Sequence, residues 1–203
     1  MSHPATERLR LQPGPDGLAL VQDLLNTRDI GHKVPDLLST SSQARTWLGA
    51  AITADNVDSQ WIAGLTERDL ATLRTLRLEV ESVVRGVHTA SAATGVTKIA
   101  LSVQPSGEVR PEPLGTGVRW FASAVWTEIF LAQQADTWKR LKLCHNLACS
   151  SAFYDRSKNN SGVWHDVKMC GNAANLRASR ARRRSVSGGS EAGRASPRLA
   201  LPR

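Results

Sequence analysis

The sequence predicts a mainly α-helical protein of the α+β class. A helical N-terminal domain with one β-hairpin is followed by a small cysteine-bearing finger that ends in a basic helix. Three observations predict this fold. Apolar residues recur at helical spacing through most of the first 138 residues. All three cysteines lie between positions 144 and 170, and the positive charge is concentrated in the C-terminal third.

Changes in composition set the domain boundaries. Residues 1–16 are polar and contain Pro and Gly, so we expect a disordered N-terminus. The helical domain covers residues 17–138, and the finger with its basic helix covers residues 139–184. Residues 185–203 are of low complexity, which predicts a disordered tail.

Two helices are predicted near the start of the domain. Leu20 and Leu24 lie on one face of a first helix over residues 17–27. Thr40 is the predicted N-cap of a second helix, with Gln43 as its capping-box partner. The inward face of this second helix consists of Ala44, Trp47, Leu48 and Ala51.

The longest predicted helix starts after Thr66, with Asp69 three residues further on as the capping partner. We expect it to end around His88–Ala93. Its broad apolar stripe predicts a buried face. The stripe contains Leu70, Leu73, Leu76, Val80, Val83, Val84 and Val87.

The periodicity then changes from helix to strand. Residues 98–103 and 108–112 flank a turn at Pro105–Gly107, which predicts a β-hairpin. Pro111 cannot donate to a ladder and confines the second strand to an edge. Residues 117–134 return to helical spacing and lead towards the cysteines.

Composition also indicates where the protein acts and which classes it excludes. No run of eighteen apolar residues is present, and the N-terminus lacks the pattern of a signal peptide, so we expect a cytoplasmic protein. No Ser/His/Asp arrangement, phosphate loop or helical His pair is found, so we do not expect an enzyme. Asp23 and Asn26 lie one turn apart on the first helix; they either line a small-molecule pocket or face water, and the second alternative is favoured.

The cysteines form two short pairs with a histidine. Cys144 and Cys149 are followed by His165 and Cys170 in the pattern C-x4-C-x15-H-x4-C. Such pairs, separated by a loop, are typical of a structural zinc site with four protein ligands. His145 is the other candidate for the histidine ligand. It directly follows Cys144, and two adjacent residues could bind the same ion only with strain. The alternative is a set of buried free thiols with a core histidine.

Positive charge is confined to the same end of the chain. Residues 139–184 hold eleven Lys/Arg and two Asp, a net +9, and the tail adds +2. Since the whole chain carries +8, the first 138 residues carry −3. This asymmetry predicts a near-neutral body joined to a polyanion-binding head, with a solvated basic face as the alternative.

Residues 175–184 favour helix and place arginines on one face. Arginine at this spacing suits phosphate contacts and the reading of guanine in the major groove. Trp164 is interpreted as a buried anchor rather than a base-stacking platform. The candidate nucleic-acid contacts are Arg156, Lys158, Lys168, Arg177, Arg180, Arg182, Arg183 and Arg184.

The C-terminal block resembles the CGNR zinc finger. The segments that carry the resemblance are the tetrapeptide Cys170–Ala173 and the flanking FYDRSKNNSGVWHD and ASRARRR. LALVQDLLNT near the N-terminus is similar to the opening of the ABATE domain, which accompanies this finger in bacterial proteins proposed to be stress-induced transcription regulators. The resemblance implies one structural Zn²⁺ held by three cysteines and His165, which replaces a family cysteine. Ala173 replaces the name-giving arginine and removes a cation; Gly171 and Asn172 suit a left-handed turn.

These observations predict a bacterial, zinc-dependent DNA-binding transcription regulator. Its partner is duplex DNA, and its N-terminal domain senses a small-molecule effector or mediates homodimerisation. The sensing role comes from the family resemblance. Two other classes stay open: a zinc-stapled RNA- or protein-interaction module, and a thiol-based redox or metal sensor.

Overall fold

The computed structural model describes residues 2–30, 34–52, 60–87 and 97–188, except for the side chains of 178, 181 and 183–188. The chain divides into two compact units, Met1–His165 and Asp166–Arg203. The first unit is built of helices with two small antiparallel sheets, which confirms the predicted mainly α, α+β class. Among the described residues, none of the helices combines the length and the apolar character that a bilayer span requires.

In the described part of the chain, five helices precede the first sheet. Their bounds are α1 Pro4–Glu7, α2 Leu18–Leu25, α3 Ser41–Ala51, α4 Gln60–Ala63 and α5 Glu67–Arg85. Strands β1 (Ile99–Val103) and β2 (Val109–Pro113) form the predicted hairpin, and α6 follows at Val118–Gln134. A short 3-10 turn then leads into β3 (Leu141–Leu143) and β4 (Ala152–Tyr154).

The N-terminal segment is an exception to the sequence prediction, because residues 1–16 include an ordered helix. Ala5 and Thr6 of α1 are fully buried, and the Thr6 amide donates to Asp23 Oδ1 at 2.7 Å. The Arg8 guanidinium donates to the carbonyls of Asn26 and Arg28. Composition predicted disorder because it does not register the partners that order this segment. Those partners lie on α2 and in the loop after it.

Both predicted N-caps form, but of the two helices only α5 has the reciprocal capping box, because Gln43 Oε1 accepts from the Thr40 hydroxyl and not from the Thr40 amide. Thr40 Oγ1 accepts from the Gln43 amide, and Thr66 and Asp69 form a reciprocal capping box. Helix α5 ends at Arg85, before the predicted end. Gly86 adopts a left-handed conformation (φ 66°), which only glycine enters without strain, and so terminates the helix. The rest of the predicted end, His88–Ala93, lies outside the described residues.

One hydrophobic core joins the predicted inward faces of these helices. Trp47 of α3 meets Phe121 of α6 edge to face, with ring centroids 5.7 Å apart. The core-facing residues of α3 and the first four of the α5 stripe are buried, whereas Val87 is 51% exposed because it lies beyond the end of α5. Strands β3 and β4 join the same core through Leu141, Leu143 and Ala152.

The polar residues of α2 correct another prediction. Asp23 and Asn26 do not face water, since both are fully buried. Asp23 Oδ2 accepts from the Trp47 indole at 2.7 Å. Burial raises the pKa of Asp23, while the donors from Trp47 and Thr6 act in the opposite direction.

Candidate metal centre

A second hairpin, which the sequence pattern did not predict, presents the first two cysteines. Cys144 directly follows β3, and two residues separate Cys149 from the start of β4. Both cysteines therefore lie in the connection between the strands. The strands pair Leu141 with Tyr154 and Leu143 with Ala152. At three residues each, they are too short for a period-two pattern to be recognised.

The structure brings the four predicted metal ligands together. One ligand atom from each of Cys144, Cys149, His165 and Cys170 lies within 4.8 Å of all the others. The three cysteines are buried and His165 is half-buried. The Cys149 sulfur lies 3.4 Å from His165 Nδ1.

This donor set fits one structural zinc ion. Sulfur and imidazole ligands at zinc bond lengths, about 2.3 and 2.0 Å, would be about 3.5 Å apart in a tetrahedral site. The observed 3.4 Å between Cys149 Sγ and His165 Nδ1 matches that geometry. Four protein ligands complete a tetrahedral shell, as in structural sites.

The surroundings of the first cysteine pair favour the thiolate at Cys149 and the neutral thiol at Cys144. A hydrogen bond between the two thiols raises the pKa of Cys144 and lowers the pKa of Cys149. The backbone amides of His165 and Asn146 lie against the Cys144 sulfur and act in the opposite direction on its pKa, but they do not outweigh Cys149 and burial. Ser151 lowers the pKa of Cys149 with its amide and with its hydroxyl, whose oxygen is 2.9 Å from the sulfur.

His145 is not part of this cluster. Its backbone amide donates to the Val163 carbonyl at 3.0 Å, and its ring meets Trp164 edge to face, with centroids 5.9 Å apart. Trp164 is half-buried. The side chain of His145 therefore packs against Trp164 and does not belong to the four-ligand cluster.

Two basic side chains of the hairpin hold the loop between β4 and His165. Lys142 Nζ donates to Asp155 Oδ2 and to the carbonyls of Asn160 and Gly162. Arg140 donates to the carbonyls of Asp155 and Ser157. The sequence analysis included both cations in the charge of the basic head. In the structure they donate hydrogen bonds that hold the loop.

The segment around Cys170 begins with a cap at Asp166, whose Oδ1 accepts from the Met169 amide at 2.8 Å. Residues Val167–Gly171 form a π-helical turn that continues directly into helix α7, Asn172–Gly188. Gly171 and Asn172 are therefore helical rather than in the left-handed turn that the sequence suggested. Helix α7 also extends into the first residues of the predicted disordered tail; residues 189–203 lie outside the described part.

The predicted nucleic-acid contacts differ in their surroundings. Arg156 donates to the Pro13 carbonyl at 2.7 Å and lies over the Tyr154 ring, 5.4 Å from its centroid, so it binds the N-terminal segment. Lys158 is exposed on the loop, and Lys168 on the π-helical turn. On α7, Arg177, Arg180 and Arg182 are exposed, whereas the side chains of Arg183 and Arg184 lie outside the described residues. Contact with nucleic acid stays a prediction.

The sequence analysis named Asn26 but missed its role, which is to join the end of α2 to this hairpin. Asn26 Nδ2 donates to the Ala152 carbonyl at 3.0 Å, and the Ala152 amide donates to Asn26 Oδ1 at 2.8 Å. Gln22, also on α2, donates to the same carbonyl at 3.2 Å. These partners are more than a hundred positions apart in sequence, so no local pattern could have identified them.

Two family models match the sequence in adjoining segments. Residues 18–141 match the ABATE model, described as "Putative stress-induced transcription regulator". Residues 140–183 match the CGNR zinc finger and include all four clustered ligands. No curated protein shows significant similarity to the chain.

Proposed function

Since the chain belongs to the ABATE family and contains a CGNR zinc finger, we propose that it is a zinc-dependent DNA-binding transcription regulator. In this proposal zinc has a structural role. Its four protein ligands leave no position for a water molecule, so we propose binding rather than catalysis as the activity.

The observation that carries the proposal is the placement of α7. The helix begins two residues after the ligand Cys170, so the metal would fix its first turn. Arg177, Arg180 and Arg182 are exposed along it. Arginine side chains on a helix suit the phosphates and guanine edges of duplex DNA, and a closed zinc site would hold that helix without covering the arginines.

Binding to duplex DNA can be tested by fluorescence anisotropy of zinc-loaded protein with a randomised duplex pool, followed by selection of bound sequences. We expect Arg177→Ala with Arg180→Ala to weaken binding about tenfold and to reduce the salt slope by about 2 units. Arg110→Ala is a matched control, because Arg110 is a 60% exposed arginine paired with Glu108 on the hairpin.

Three results would favour other functions. A steep salt slope without any sequence preference indicates nonspecific polyanion binding. Stronger binding to single-stranded or structured RNA favours the RNA-interaction module. Loss of zinc in mild peroxide, with recovery in thiol and no nucleic-acid binding, favours the redox sensor.

A cavity in the N-terminal domain supports the ligand-sensing part of the proposal. It has a volume of about 730 Å³ and lies beside the first turns of α5 and α6. Trp61 provides an aromatic wall, and Arg68 and Arg119 provide two positive charges against the one carboxylate of the lining, that of Asp69, which accepts hydrogen bonds from Thr66. This lining suits a small anion with an apolar or aromatic part.

The effector can be sought by following Tm and tryptophan fluorescence with a panel of small aromatic carboxylates and phosphates. A ligand of the cavity should raise the Tm of the wild type and lose its effect in Arg68→Ala with Arg119→Ala. The effect should persist in Arg110→Ala. A shift that survives the double substitution would place the ligand elsewhere.

The β1–β2 hairpin supports the alternative role of the domain in homodimerisation. Leu101, Val103 and Val109 are 67%, 73% and 55% exposed, and the register places Val103 opposite Val109. An exposed apolar face of this kind suits burial against a second copy. Sedimentation should show a dimer that Leu101→Lys dissociates and Leu78→Lys, at a 62% exposed site on α5, does not. A monomeric wild type would exclude this role.

A further inference from the structure

The buried amide of Asn26 pairs with the hairpin that carries two zinc ligands. It is fully buried, and it both donates to the Ala152 carbonyl and accepts from the Ala152 amide, at 3.0 and 2.8 Å. A side-chain amide with this pairing replaces the neighbouring strand that β4 lacks on that side. The hairpin is thereby joined to α2 by two directed hydrogen bonds in a buried environment, where such bonds are costly to leave unmade.

The same peptide group contacts a zinc ligand on its other edge. The Ala152 amide and the Ser151 carbonyl belong to one planar peptide unit. The amide donates to Asn26, and the carbonyl accepts from the backbone amide of Cys144 at 2.9 Å. Because the unit is rigid, the orientation set by Asn26 on one side determines where the Cys144 amide is held on the other.

Ser151 extends the connection to the second ligand. Its hydroxyl oxygen lies 2.9 Å from the Cys149 sulfur, and its side chain is buried. The path from α2 to the metal centre is therefore continuous: Asn26, the 151–152 peptide, then Cys144 through its backbone and Cys149 through the Ser151 hydroxyl. Every residue of this path lies within the first compact unit.

We propose that Asn26 is a positioning residue of the zinc site, through which the state of helix α2 sets the affinity and geometry of Cys144 and Cys149 for the metal. Asn26 does not touch the ion; it acts on the two ligands through the 151–152 peptide. The proposal depends on the metal centre and not on DNA binding, so its failure would leave the proposed regulatory function intact.

Titration of full-length apo-protein with Zn²⁺ against a chelating indicator tests the affinity, and Co²⁺ substitution reports the geometry. Asn26→Leu removes both hydrogen bonds to Ala152. Groups that orient zinc ligands typically change affinity by 10–100-fold, so we expect zinc binding about tenfold weaker, with shifted Co²⁺ d–d and thiolate charge-transfer bands.

Val125→Ala separates this role from a loss of stability. Val125 is fully buried in the core on α6, so its truncation lowers Tm without removing a hydrogen bond to Ala152. The control should keep wild-type zinc affinity and the wild-type Co²⁺ spectrum. Equal losses in Val125→Ala, or a wild-type spectrum and affinity in Asn26→Leu, would overturn the proposal.

Two further measurements apply if Asn26→Leu does not fold. Asn26→Asp keeps the acceptor for the Ala152 amide but places a carboxylate oxygen against the Ala152 carbonyl, and it should show the same spectral shift. In the wild type, chelation of zinc should speed hydrogen exchange in α2 as well as in residues 144–170, since coupling is reciprocal. Faster exchange confined to residues 144–170 would contradict the proposal.

Discussion

Lys142 donates a 2.7 Å hydrogen bond to the buried carboxylate of Asp155, and this pair closes the loop that leads to the metal ligand His165. The carboxylate also accepts from the amides of Ser157 and Gly162. A Cβ at Gly162 would lie 2.9 Å from the Asp155 carboxyl carbon and 2.9 Å from Oδ1, so a larger residue there would force this hydrogen-bonded carboxylate to shift. Although burial alone raises the pKa of Asp155, these donors outweigh it and hold the pKa well below its usual range.

Asp155→Asn should destabilise the protein by about 2 kcal/mol, because it leaves Lys142 largely buried without its charged partner. Urea denaturation of the zinc-loaded protein measures the change. Asp136→Asn is the matched control; it removes a carboxylate that is 86% exposed and 3.6 Å from Lys139, so its effect should stay within about 0.5 kcal/mol. Equal effects would show that the Lys142–Asp155 pair contributes little.

The pH dependence of stability should also report Asp155. Its folded-state pKa is depressed, so its contribution is present above the unfolded pKa of about 3.9 and is lost as pH falls towards the folded pKa. The free energy of unfolding should therefore decrease on acidification below about pH 4, and Asp155→Asn should flatten that decrease. Zinc-free protein serves for this measurement, because acid also releases the metal.

Metal analysis of the purified protein should find one zinc per chain. Cys170→Ser and His165→Ala each remove one of the four clustered ligands and should lower the zinc content and unfold the C-terminal segment. His145→Ala is the control, because His145 lies outside the ligand cluster. This variant should keep one zinc per chain. Loss of zinc in His145→Ala together with retention in His165→Ala would reassign the fourth ligand.

The cap of α5 offers a test outside the metal centre. Thr66 Oγ1 accepts from the Asp69 amide, so Thr66→Ala should cost about 1 kcal/mol in urea denaturation. Thr72→Ala should be neutral or slightly stabilising, since Thr72 is exposed within the helix and Ala has the higher helix propensity. A neutral Thr66→Ala would mean that α5 is held by packing alone.

Local sequence patterns were sufficient for several parts of the fold and of the site. The inward face of α3, the Thr66–Asp69 cap and the β1–β2 hairpin all depend on residues a few positions apart, so their spacing carries the information. The ligand set was predictable for the same reason, since each ligand pair is separated by four residues.

The sequence by itself therefore determined helices α2, α3, α5, α6 and α7, the first hairpin and the identity of the four zinc ligands, because periodicity, capping and short ligand spacings are properties of neighbouring residues. Only the tertiary structure decided the roles of Asp23, Asn26 and Lys142. Each of these polar residues is held in place by a hydrogen bond to a partner that is distant in sequence. The partners are Trp47 for Asp23, Ala152 for Asn26 and Asp155 for Lys142. A buried polar group is stable only when its hydrogen bonds are satisfied, and a one-dimensional pattern does not specify which distant groups will satisfy them.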